Sequence, residues 1–135
     1  MKNKLMKGLL GGTAGTVMMS ALMYMAPMIG LPKMNAAEIL SGMMGTPLIV
    51  GWVMHFMIGI IFGILYILVF LKVIQKIRSK IMKGLLYGLA VFFVAQVVMA
   101  MMGKCMLCGE NGMMVVAGSL MGHLLYGITL SLFNQ

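Results

Sequence analysis

Acid is nearly missing from this sequence. Glu38 and Glu110 are the only carboxylate side chains in 135 residues, against ten Lys and Arg. Charged residues make up 9% of the chain, where a soluble domain carries about 25%. So few charges cannot clothe a water-facing surface, which excludes an ordinary soluble domain. No Lys, Arg, Asp or Glu interrupts Gly8–Gly30, Pro47–Leu71, Gly84–Gly103 or Met113–Phe133. Alternating polarity in segments of about ten residues, the mark of a membrane β-barrel, is also absent. Cysteine is scarce: Cys105 and Cys108 are the only two, too few for a structural zinc site of about four ligands.

What remains is apolar. The chain is 62% hydrophobic, with a mean hydropathy of +1.08. A helix crosses a bilayer with roughly 20 apolar residues, and each of the four runs is long enough. The sequence therefore predicts an all-α integral membrane protein, one domain over 1–135 with four transmembrane helices. Lys2, Lys4 and Lys7 resemble the basic start of a signal peptide. The apolar run after them outlasts the about 7–15 residues of such a segment, and the first helix is read as retained.

The basic residues set the expected orientation. Lys2, Lys4 and Lys7 precede the first span; Lys72, Lys76, Arg78, Lys80 and Lys83 lie between the second and third. With four spans these segments share one side. Excess Lys and Arg marks the cytoplasmic side, so both termini are predicted inside, in a bacterial inner membrane. Lys72, Lys76, Arg78, Lys80 and Lys83 are candidates for holding anionic lipid headgroups, at about 1 kcal/mol each. Short juxtamembrane loops are a poor footprint for nucleic acid, and no such partner is expected. The segment MNAAEILSGMMG, with Asn35 as N-cap and Glu38 in the first turn, predicts a short interfacial helix on the outer side.

The halves resemble each other. KGLLGG (Lys7–Gly12) opens the first span and KGLLYG (Lys83–Gly88) the third. The repeat, about 7–71 and 83–133, predicts two parallel-repeat helical hairpins, N-in/C-in, related by an axis along the membrane normal. The only histidines, His55 and His123, each begin an H-x-x-x-G, which places them at similar depth. Residues four apart share a helix face: Gly51, His55, Gly59 and Gly63 on one helix, Ser119, His123, Gly127 and Ser131 on the other. Such small-residue stripes pack against protein, not lipid. An ionisable residue there is a functional-site hypothesis. The imidazoles could bond a neighbouring helix through Ser20, Thr13, Gln96 or the other histidine. They could instead bind haem between them, or hold Cu(I) with Met54, Met57 or Met121, since thioether suits a soft metal.

The segment KCMLCGENG carries both cysteines and is expected to face the oxidising exterior, where disulfides persist. A local disulfide, a thiol redox pair and a metal contact are all open readings. CMLC resembles the CVLC of the DsbB family, four-helix proteins that pass electrons from periplasmic thiols to quinone. That likeness implies a redox role for Cys105 and Cys108. Over nearly its whole length, from MIGLPKMNAAEILSGMMGTPLIVGWVMHFMIGIIFGILY to GHLLYG, the chain resembles a family of small bacterial four-helix inner-membrane proteins of unknown function. GW-x-x-HFMIG, Gly51–Gly59, is the most specific part.

The leading expectation is a non-enzymatic bundle that packs with itself or with a larger membrane complex. Gly8-x3-Gly12, Gly11-x3-Gly15, Gly84-x3-Gly88 and Gly118-x3-Gly122 would be its packing faces. The alternatives are a haem or copper redox protein built on His55 and His123, coupled to Cys105 and Cys108, and a small-solute or proton channel.

Overall fold

The computed structural model describes residues 2–134, and among them it is all helix and loop. Helix α1 (Lys2–Met25) is straight until Pro27, which has no N–H for an α-helical bond; a 3₁₀ turn, Ala26–Ile29, closes the span. Helix α2 (Ala36–Met44) is the short one. Asn35 Oδ1 accepts from the N–H groups of Ala37 and Glu38 at 3.0 and 3.4 Å. Gly45, at φ 63°, ends the helix in the left-handed conformation that a Cβ would disfavour. Helix α3 (Leu48–Val73) includes a π-helical turn at Tyr66–Phe70. Helix α4 (Lys80–Met101) starts under a Ser79 cap, and α5 (Gly112–Phe133) completes the chain. Helices α1, α3, α4 and α5 are each long and apolar enough to cross a membrane, and their outer faces are apolar and exposed, as lipid requires. The four runs read from the sequence thus recur within a few residues.

Glycine sets which helices touch. A Cβ on Gly12 would come 2.6 Å from the Gly59 carbonyl oxygen and 3.0 Å from Ile60 Cα; one on Gly8 would meet Ile64 Cα at 2.9 Å. A Cβ on Gly84 would lie 2.7 Å from both the Gly127 carbonyl and Ile128 Cα. So α1 packs backbone to backbone on α3, and α4 on α5. On its other side α1 meets α5, where Gly15 admits the ring of Tyr126 and Gly11 admits Leu130. Without hydrophobic drive between helices in lipid, close packing of this kind holds a bundle together. These contacts put the N-terminus, the 74–79 loop and the C-terminus at one end. Eight of the ten basic residues lie there. Lys33, Lys104 and both acids lie at the other end.

Helices α3 and α4 do not approach in this way. Large side chains close the gap between them near the basic end. The Tyr66 ring lies 4.9 Å from that of Tyr87, and Phe70 lies 4.7 Å from Tyr87. Each tyrosine hydroxyl of this layer finds an acceptor. Tyr87 donates to the Phe62 carbonyl, Tyr126 to the Gly59 carbonyl at 2.6 Å, and Tyr66 to Ser131 Oγ at 2.8 Å; Ser131 Oγ in turn donates to the Lys80 carbonyl at 2.9 Å. This layer forms a floor. Above it, toward the acidic end, the bundle stays hollow.

Candidate functional site

The hollow is a chamber of about 150 Å³ lined by all five helices. Both histidines reach it. His55 is buried on α3, in the stripe Gly51, His55, Gly59, Gly63, which comprises the buried residues of that helix before its π-turn. His123 lines the opposite wall from α5. Thr16, Gln96, Ser119 and Tyr126 supply the other polar groups, and Met19, Met23, Met34, Met99 and Met106 much of the remaining surface. A second cavity of about 320 Å³ lies toward the acidic end, lined by Tyr24, Lys33, Glu38 and Trp52 among others. Met23, Met34, Ala36 and His55 line both spaces and stand between this vestibule and the chamber. The Lys33–Glu38 pair at 3.3 Å sits exposed at the mouth, where an ion pair adds little stability.

The histidines are held differently. His55 Nε2 is 3.2 Å from Ser20 Oγ on α1, a partner the sequence had offered. His123 Nδ1 is 2.7 Å from the Ser119 carbonyl oxygen. A carbonyl only accepts, so Nδ1 carries a proton, and in the neutral ring Nε2 keeps its lone pair. Thr13 bonds back to Leu9 in its own helix. Gln96 Nε2 is buried with no hydrogen-bond partner among the described residues.

Contacts with α1 place the rings in depth. His55 meets Ser20, and Gly122, next to His123, lies against Met19, so both histidines stand beside the same turn of α1.

Residues 2–135 match a family of unknown function, DUF6789. The chain belongs to that family. No curated protein and no solved structure matches it. The long-range resemblance noted in the sequence is thus to DUF6789, and the four-residue likeness of CMLC to the DsbB family stands without a match.

Three expectations change in this DUF6789 protein. Met57 and Met121 do not accompany the histidines: they are 53% and 44% exposed, and neither they nor Met54 lines the chamber. At about 100° per residue, a side chain two positions from a histidine lies on nearly the opposite face. Haem does not fit either. The chamber is about half the roughly 300 Å³ at which small-molecule sites begin, and Tyr126 crosses from α5 to bond α3 where the macrocycle would lie. Finally, the glycine faces expected to bind partners are used internally: Gly8 and Gly12 against α3, Gly84 and Gly88 against α5, Gly11 and Gly15 against α5, Gly118 and Gly122 against Met34, Met19 and Met23.

Cys105 and Cys108 form a disulfide in the turn between α4 and α5. Met106, inside that ring, lines the chamber. Lys72, Lys76, Arg78 and Lys80 are exposed around the 74–79 loop, and Lys83 is half-buried.

Proposed function

We propose that this is a non-catalytic, multi-pass membrane protein that takes a small guest into an intramembrane chamber from the side opposite its basic loops. The observation that carries this reading is the pair of adjoining cavities that share His55, Met23 and Met34 in their linings. Hydrophobic cores pack to crystal-like density. A hollow with histidine, glutamine, threonine and serine on its walls is therefore a feature to explain. By the positive-inside rule the basic end faces the cytoplasm, and the vestibule with the disulfide turn faces outward. Lys72, Lys76, Arg78, Lys80 and Lys83 suit anionic headgroups on the inner leaflet. The packing-subunit reading loses its main support, because the glycine faces are occupied within the chain.

Thiol labelling tests the chamber. In a Cys105→Ser/Cys108→Ser background, Ser119→Cys puts a thiol on the chamber wall, and Met121→Cys puts one on the lipid-facing side at similar depth. A small membrane-impermeant methanethiosulfonate added from outside should modify the first and spare the second. Equal modification of both, or of neither, overturns the reading.

A further inference from the structure

We infer that the guest is a soft monovalent cation of the Cu(I) class, held by the thioethers of Met19, Met23 and Met34 and by Nε2 of His123. This rests on the chamber being a ligand site, as proposed above. The chain has twenty methionines. Among the described residues only Met19, Met23 and Met34 are buried, at 6–7% exposure, and all three line this one cavity. Met19 and Met23 belong to one buried cluster with Tyr66, Tyr87, Val91, Tyr126 and Leu130, and they lie at its cavity-facing edge.

All three methionine side chains pack on the helix that carries His123. Met19 and Met23 are four apart on α1 and share its face. Both lie over Gly122, where a Cβ would come 3.3 Å from Met19 Cγ and 3.4 Å from Met23 Cε. The Met34 methyl lies over Gly118 so closely that a Cβ there would collide with it. Gly118 and Gly122 immediately precede Ser119 and His123. The glycines thus clear room for thioethers beside the imidazole.

The imidazole is set as a ligand. Metal-binding histidines donate their second ring N–H to a carbonyl or carboxylate, which fixes the tautomer and orients the ring. His123 does this through Nδ1 to Ser119, and among the described residues no hydrogen bond engages Nε2. The remaining donors select the metal. No carboxylate or thiolate lines the chamber, and no cluster of three His, Cys, Asp or Glu exists among the described residues. Hard cations such as Ca²⁺ and Mg²⁺ need oxygen ligands, and zinc sites are built from Cys, His and carboxylate. Neutral thioether and imidazole suit Cu(I). A single positive charge among neutral ligands also costs less to desolvate than a double one.

The test is anaerobic Cu(I) titration of the full chain in mild detergent against a chromogenic Cu(I) chelator, in the Cys105→Ser/Cys108→Ser background so that no thiol competes. We expect one Cu(I) per chain, undisturbed by excess Zn²⁺. The triple variant Met19→Leu/Met23→Leu/Met34→Leu nearly preserves core volume and should lower affinity at least tenfold, with helical content and monodispersity unchanged. Binding as tight in that variant as in the parent would place copper elsewhere and overturn the inference. So would absence of binding in a parent whose Ser119→Cys derivative is still labelled; that result removes the metal and leaves the chamber. Absence of both binding and labelling removes the two together.

Discussion

At the residue scale, glycines carry most of the architecture, and their surroundings make opposite expectations. Gly12 faces the backbone of α3 at contact distance, and backbone cannot yield. Gly12→Val should destabilise the bundle by about 3 kcal/mol, the upper range for overpacking, read as a lower midpoint of SDS-induced unfolding. Gly42, inside α2, has nothing within 4 Å of its Cβ position. There Gly→Ala should stabilise by about 0.4–1 kcal/mol through the unfolded chain. Similar effects at the two sites would mean that the glycine pairings are wrong.

At the element scale, α2 matters beyond its nine residues. It packs against α3, where the Ala37 carbonyl fills the space left by Gly51, and it contributes Ala36, Ile39 and Leu40 to the chamber wall. Asn35 starts it by satisfying two backbone donors. Asn35→Ala should cost about 1 kcal/mol and, by fraying the wall, should raise amide hydrogen exchange in α2 and in the adjoining start of α3. Exchange confined to α2 would detach the helix from the chamber. The disulfide turn plays the matching part on the other side, holding Met106 over the same space.

For the whole molecule, charge and hollow lie at opposite ends. Eight of ten basic residues surround the termini and the 74–79 loop, and the vestibule opens at the far end beside Lys33 and Glu38. A green fluorescent protein fused after Gln135 should fluoresce, whereas alkaline phosphatase at the same point should be inactive, because both report a cytoplasmic C-terminus. The reverse pattern would turn the vestibule toward the cytoplasm and would change where the guest comes from. Four-helix architecture leaves room for the hollow because only three of the four sides are closed at glycines: α3 on α1, α1 on α5, α5 on α4. The fourth side depends on aromatic side chains, and they reach only part of its length.

The spans, their ends, the capped short helix, the segregation of charge and the buried faces of His55 and Ser119 were all legible in the sequence. Each follows from local quantities: length of an apolar run, a capping side chain, a four-residue period. Thr16, Met19 and Met23 continue one face of α1 with Gly8 and Gly12 at helical spacing, but nothing local separates these two methionines from the others among twenty. The tertiary structure alone decided which methionines accompany the histidines, which glycines face inward, and that α3 and α4 part above a tyrosine floor. Those outcomes depend on how far one helix slides along another before backbones meet. That distance is set jointly by residues far apart in the chain, and no single helix contains it.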